Sequence, residues 1–295
     1  MISKDDLKQF QVKPGKKFSI KDHDPAWKFE GVGKADPKEQ AKLFLETSLK
    51  ELAEAQELLY ADDRYSILMI LQAMDAAGKD GTIKHVMSGV NPTGCQVYSF
   101  KKPSEEELDH DFLWRCVKCL PERGRIGIFN RSYYEEVLVV KVHPEILDHQ
   151  KLPPGKRGKS FWQARYDDIN AFEQHLVRNG TTLVKVFLNV SKDEQKRRFI
   201  ERLDTAAKNW KFSSADLKER ESWDQYQEAY EDCLAATSTE AAPWHVVPAD
   251  HKWVTRAVVA ELLTSTVRSL DLRYPEVDAA ERERLAQAKR KLLAE

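Results

Sequence analysis

Apolar and polar positions along this chain follow two periods, one near four residues and one near two. Pro37 to Tyr60 keeps Phe44, Leu45, Leu49, Leu52, Ala55 and Leu59 at helical spacing and predicts a long helix. Ile67 to Leu71 is an unbroken apolar run, the pattern of a buried strand. A loop of small residues follows at once and leads into a helix-compatible stretch, Ile83 to Met87. Gln96 to Phe100 predicts a short strand. Ser104-Glu-Glu-Glu107 forms a capping box that opens a helix with Leu108, Phe112, Leu113, Cys116 and Leu120 inward. Arg125 to Phe129 is a further buried strand. Trp162, Tyr166, Ile169, Phe172 and Leu176 mark a helix ending at Asn179-Gly180. Thr181 to Leu188 is rich in β-branched residues and predicts a strand. Ser191-Lys-Asp-Glu194 is a second capping box. Val246-Val247 predicts a last strand, before a helix through Val254, Val258, Leu262 and Leu263.

Strands alternating with helices imply an α/β fold, a mostly parallel sheet with helices on both faces. Ligands then sit at the C-terminal ends of the strands. The loops after Leu71, Phe129 and Leu188 therefore belong on one rim. Residues 1 to about 35 are polar and irregular, with Pro14, Gly15, Pro25, Gly31 and Gly33, and predict a surface wrapping rather than a domain. The chain divides into residues 1–60 (extension and packing helix), a core at 61–275 with a lid at about 191–222, and a charged helix at 276–295. That last helix is a solvated face or an oligomer contact.

Composition narrows the function classes. With 41% hydrophobic residues among 295, a large core can be buried. The formal net charge is −1, so no global field draws polyanions and an anion site must be built locally. No nucleic-acid partner is expected. No apolar stretch is long enough to span a bilayer, and the N-terminus lacks a signal-peptide core. Four cysteines without a disulfide pattern predict a reduced, cytoplasmic protein. Cys116-Val-Lys-Cys119 has no second pair at zinc-ligand spacing, so these cysteines read as small core residues.

The candidate chemistry lies in Met74-Asp-Ala-Ala-Gly-Lys-Asp-Gly-Thr82. A strand, a tight loop and a helix together build a phosphate cradle from backbone N–H groups, the helix N-terminus and a lysine. Ala76, Ala77, Gly78, Asp80, Gly81 and Thr82 are the expected cradle residues, with Lys79 as the point charge. The pattern GxxxxGK[ST] asks for Gly at Ala73 and a hydroxyl at Asp80. Asp80 removes the usual metal-holding hydroxyl. Asp75 offers a carboxylate instead. The bland alternative is an ordinary Gly-rich turn between strand and helix.

The second strand end carries Asn130-Arg131-Ser132-Tyr133-Tyr134-Glu135-Glu136. Arg131 could clamp a phosphate bidentately. Glu135 and Glu136 could bind a metal or a nucleotide, or simply favour a helix N-terminus. From Lys192 to Arg220 basic residues crowd. Arg198 and Arg202 lie one turn apart and could line the path of a phosphate chain, with Trp210 and Phe212 packing the lid. The alternative is a solvated helix paired through Glu194 and Glu201. Residues Lys151 to Lys159 read as a mobile loop near the same rim.

These segments, with Ser88-Gly-Val-Asn-Pro92, Gly127-Ile-Phe-Asn-Arg-Ser132, Lys208-Asn-Trp-Lys-Phe212, Ala242-Pro-Trp244 and Pro248-Ala-Asp250, resemble polyphosphate kinase family 2. Within it the chain is similar to the class III type, which acts on nucleoside mono- and diphosphates. The resemblance implies a P-loop kinase fold related to thymidylate kinase, with a helical lid. It implies inorganic polyphosphate as donor, AMP, ADP and ATP as nucleotides, and Mg²⁺ (or Mn²⁺) dependence. A homo-oligomer, often a tetramer, is usual. Carried over by motif, Asp75 matches the aspartate that holds Mg²⁺, Lys79 the loop lysine and Arg131 the arginine of the second motif. Arg198, Arg202 and Lys208 fall in the lid that faces polyphosphate, and Lys141 joins the phosphate-binding candidates. Asn130 stands where other classes have Asp, and Glu135 where they have Asn. An ATP-dependent nucleoside monophosphate kinase and a non-catalytic nucleotide switch are the rival readings of the loop itself.

Overall fold

The computed structural model describes residues 4–29 and 36–295. The predicted N-terminal wrapping therefore holds a segment, with Gly31 and Gly33, that lies outside the described residues. Five strands form one sheet: β1 (Ser66–Ala73), β2 (Cys95–Ser99), β3 (Ile126–Asn130), β4 (Thr181–Asn189) and β5 (Trp244–Pro248). Their order is β2-β3-β1-β4-β5, and every neighbouring pair is parallel. The helices are α1 (Lys4–Lys8), α2 (Pro37–Asp62), α3 (Lys79–Val86), α4 (Glu105–Leu108), α5 (Trp114–Val117), α6 (Val139–Val142), α7 (Lys159–Arg178), α8 (Lys192–Asp204), α9 (Ser214–Glu221), α10 (Trp223–Thr237), α11 (Lys252–Arg268) and α12 (Ala279–Leu292). Among the described residues, no helix is long and apolar enough to cross a membrane.

The apolar run of β1 takes the central place because helices cover both faces of the sheet. All eight of its residues are buried. On one face α2 packs against α11, where Thr264 Oγ1 donates to Ser48 O at 3.1 Å. On the other face α7 packs over β4, and Tyr230 of α10 meets Phe187 with ring centroids 4.3 Å apart. Lys185 of β4 is fully buried there. Its ammonium donates to Glu173 of α7 at 2.6 Å, to Tyr134 Oη at 3.0 Å and to Thr237 O at 2.6 Å. Glu173 also accepts from both Tyr133 and Tyr134 hydroxyls, at 2.8 and 2.7 Å. This network fixes the chain immediately after Ser132, on the functional rim.

The N-terminal segment closes the β5 edge. Gln11 forms an antiparallel bridge with His245, and Val246 N–H donates to Phe10 O at 2.7 Å. Phe10, Val12 and Ile20 are buried. The predicted wrapping is thus also a cover for exposed strand backbone.

Two predicted local features differ. The helix expected from Ser104 onward breaks into α4 and α5, although its capping box is complete. Asp111 restarts it, because its carboxylate accepts the Leu113 N–H at 2.9 Å and turns the chain. Of the five residues expected inward, only Cys116 is fully buried. At Ser191 only half a capping box forms. Ser191 Oγ accepts the Glu194 N–H, but Ser191 N–H goes to Asp250 Oδ1 at 2.8 Å. Glu194 turns instead to Arg197 and Arg198.

The buried pair gives a stability prediction. Removing Glu173 leaves the Lys185 ammonium buried without its counter-charge. Glu173→Ala is expected to lower the unfolding free energy by about 3–5 kcal/mol in urea titration. A loss below about 1 kcal/mol, the range of exposed pairs, contradicts the role assigned to this network.

Candidate active site

Parallel strands deliver their C-terminal loops to one edge, and there β1 ends at Ala73. The loop Met74–Gly78 then turns into α3. Two of its residues have left-handed backbone, Ala76 at φ +60° and Gly78 at φ +110°. Glycine adopts this region freely, whereas Ala76 is strained by about 1–2 kcal/mol. Ala73, where the usual pattern asks for the first glycine, is still strand and needs none. Among the described residues, the N–H groups of Gly78, Lys79, Asp80 and Gly81 have no acceptor. The first helical bond is Thr82 N–H to Gly78 O, at 2.9 Å. Thr82 itself is 3% exposed.

Lys79 folds back over the loop. Its Nζ donates to Ala73 O at 2.8 Å and Met74 O at 3.4 Å. Burial, then the nearby Arg131 guanidinium, pull its pKa down to about 8. Asp75 Oδ1 accepts from Arg131 Nη2 at 3.0 Å. Its other carboxylate oxygen accepts no hydrogen bond among the described residues.

Arg131 follows β3 and is also left-handed, at φ +65°. Its N–H is held by Leu71 O at 3.1 Å, and its guanidinium lies between Asp75 and Glu135, the latter at 3.3 Å. Asn130 Nδ2 donates to Asp80 Oδ1 at 2.8 Å, tying the two loops together. Asp75, Lys79, Asp80, Asn130, Arg131 and Glu135 therefore form one cluster, as the sequence placed them.

Glu136 does not join it. Its carboxylate turns inward, accepting from Gln150 at 2.7 Å and Arg165 at 3.1 Å, and burial raises its pKa. Beside Glu135 and Glu136 opens a cavity of about 980 Å³, bounded by Phe112, His149 and Lys102. No residue of 74–82 lines it, and it meets the site cluster at Arg131 and Glu135. Phe112 was expected in a helix core. The break at Asp111 releases it to the cavity wall, where the Arg165 guanidinium stands 4.6 Å from its ring. Arg165, Gln150 and Gln195 carry no motif, and their roles emerge only from the tertiary arrangement.

Other candidates have protein partners of their own. Lys141 pairs with Asp232 at 2.6 Å and does not line the cavity. Arg198 does not face outward with Arg202. It is 4% exposed, with its guanidinium directed at backbone oxygens behind the loop. Arg202 pairs with Asp216 at 3.7 Å, and Lys208 with Glu201 at 2.5 Å. Trp210 is 78% exposed rather than packed, while Phe212 meets Phe199 edge-on at 6.0 Å. Helix α12 is exposed along its length.

The donor set discriminates between metals. Among the described residues no group of three His, Cys, Asp or Glu forms a closed cage. The thiols are unsuited, since burial pushes Cys116 up to about 12 and raises Cys119. Open carboxylate oxygen beside a phosphate cradle is instead the donor type of a hard divalent cation completed by substrate phosphates. Asp75, with its side chain 27% exposed, fits that description.

Comparison with known proteins shows the family. The family model described as Polyphosphate kinase 2 matches residues 34–275. A protein of Rhodopseudomonas palustris, named ADP-polyphosphate phosphotransferase, is 53% identical over 287 residues, 97% of this chain and 98% of that protein. A protein of Meiothermus ruber, named AMP/ADP-polyphosphate phosphotransferase, is 45% identical over 276 residues, 93% of this chain and 97% of that protein. The crystal structure of Polyphosphate Kinase 2 from Arthrobacter aurescens superposes with a TM-score of 0.84 at 42% identity, covering 95% of this chain and 96% of that one. The chain belongs to the polyphosphate kinase 2 family.

Proposed function

We propose that this chain transfers a terminal phosphoryl group from inorganic polyphosphate to ADP, giving ATP, and to AMP, giving ADP. One observation carries the reading. An anion cradle and a nucleotide-sized cavity meet at Arg131, which lies between the carboxylates of Asp75 and Glu135, 3.0 and 3.3 Å away. Transfer between two polyanions asks for positioning and charge neutralisation rather than covalent chemistry. The cradle of Gly78–Gly81 with Lys79 takes the donor end. The cavity takes the acceptor, and Arg131 stands where the transferred group passes. Asp75 would hold Mg²⁺, or Mn²⁺, which when bound neutralises phosphate oxygens. The last turn of α8, the turn at Ala206–Lys211 and α9 serve as the lid that excludes water, with Arg202 and Lys208 on it.

Direct in-line transfer needs no phosphorylated residue. His85, the one nearby candidate, has Nδ1 2.7 Å from Gly81 O, turned to its own helix. An ATP-dependent monophosphate kinase and a silent switch both lose ground, because relatives matched end to end are named as polyphosphate phosphotransferases. Acceptance of AMP beside ADP follows the name of the Meiothermus ruber relative. Assembly into a homo-oligomer is part of the same proposal. Leu285, Leu292 and Leu293, exposed at 54%, 68% and 78%, support it.

Purified protein given long-chain polyphosphate, ADP or AMP, and Mg²⁺ is expected to form ATP or ADP without any ATP added. Product from ATP plus AMP, with polyphosphate inert, overturns the reading. Asp75→Asn is expected to lower kcat by about a hundredfold, on the order of 3 kcal/mol, with Tm unchanged. Near-normal turnover in that variant contradicts the metal role.

The pH dependence follows from Lys79. Its ammonium must be charged to meet phosphate, and it loses its proton near pH 8. We expect kcat/KM for polyphosphate to fall as pH rises through about 8, since this ratio reports the free enzyme. The same group acts oppositely on stability. The charged lysine burdens the fold below pH 8, and the burden lifts as pH climbs from about 8 toward the ordinary lysine value of 10.5. A kcat/KM that stays flat to pH 10 contradicts the assignment.

A further inference from the structure

We infer that helix α8 holds the phosphate loop from behind, and that Gln195 and Arg198 are positioning residues rather than polyphosphate ligands. The inference rests on the phosphoryl-transfer reading above. Three consecutive loop carbonyls are taken by one face of α8. Gln195 Nε2 donates to Asp75 O at 3.0 Å. Arg198 Nη1 donates to Ala76 O at 3.0 Å and Ala77 O at 2.6 Å. Residues 195 and 198 lie one turn apart, so both reach the same side.

The rest of the guanidinium is equally engaged. Nη2 donates to Ala249 O at 2.5 Å and Asp250 O at 3.2 Å, and Nε to Glu194 Oε1 at 2.6 Å. A guanidinium has five N–H donors, and five acceptors meet them here. None remains for a phosphate oxygen. Gln195 and Arg198 are 1% and 4% exposed, so neither is placed to sweep over a bound chain.

The consequence for the cradle is geometric. In a planar trans peptide the C=O and the following N–H point opposite ways. Fixing Asp75 O and Ala77 O toward α8 sends the Ala76 and Gly78 N–H groups to the other side, where the donor phosphate would lie. Ala77 N–H is already held by Met74 O at 3.3 Å. The clamp also explains how Ala76, not a glycine, keeps φ +60°. It continues into the proposed lid, because Gln195 Oε1 accepts from Arg220 Nη1 of α9 at 2.8 Å.

Arg198→Lys keeps the charge but loses the fork that reaches four carbonyls. Gln195→Met removes the second contact without touching charge. Steady-state kinetics with polyphosphate and ADP, together with hydrogen exchange of the two bonded loop amides, Ala77 and Thr82, separate the roles. Positioning predicts that kcat falls about tenfold or more in Arg198→Lys, with KM for polyphosphate within about threefold of the parent. Gln195→Met lowers kcat in the same sense, and the loop amides exchange faster in both. A KM for polyphosphate raised about tenfold at unchanged kcat in Arg198→Lys, with Gln195→Met silent, makes Arg198 a polyphosphate ligand and overturns the inference. If Arg198→Lys does not fold, Gln195→Met decides by the same split. A parent protein that ignores polyphosphate refutes the function reading, while loop exchange in the two variants still decides the clamp.

Discussion

The direction of a few peptide groups between β1 and α3 governs what this rim can bind. Four successive N–H groups, Gly78 to Gly81, lack acceptors within the described chain, and a helix N-terminus adds its partial charge to them. Such a state is unfavourable without a ligand, and Ala76 adds backbone strain. It persists because the carbonyls of Asp75, Ala76 and Ala77 are bound by Gln195 and Arg198. Burying the arginine is tolerable only because every donor it carries is matched.

The second rim loop obeys the same logic. Arg131 sits in left-handed backbone, pinned by Leu71 O on one side. On the other, Tyr133 and Tyr134 anchor the following turn to Glu173, whose charge is matched by Lys185 inside the sheet. A buried ion pair thereby sets the position of a rim arginine. Asn130 and Asp80 then join the two loops directly. The functional cluster is held by the core on both sides, which suits a reaction that depends on placing charges rather than on making bonds to the protein.

Much of this was readable in the residue order. The five strands, the helix before β1 and the loop from Met74 to Thr82 follow from apolar periodicity and small-residue punctuation, and the rim follows from parallel topology. Less legible were the features decided by tertiary partners. The Ser104 capping box gave no warning that the helix would end after four residues and restart from Asp111. Arg198 and Arg202 have the same chemistry and adjacent turns, yet one packs behind the loop and the other pairs with Asp216. Periodicity assigns a face to a residue; it does not say which loop meets that face. Glu135 and Glu136 likewise part company because adjacent side chains in a turn point to different partners.

The central claim is that the main chain of residues 76–81 receives the phosphate. Amide chemical shifts recorded while tripolyphosphate and Mg²⁺ are titrated into the protein address it directly. The account predicts the largest changes at Ala76, Gly78, Lys79, Asp80 and Gly81. Shifts confined to the cavity walls around Phe112 and His149, with those loop amides unmoved, would contradict it.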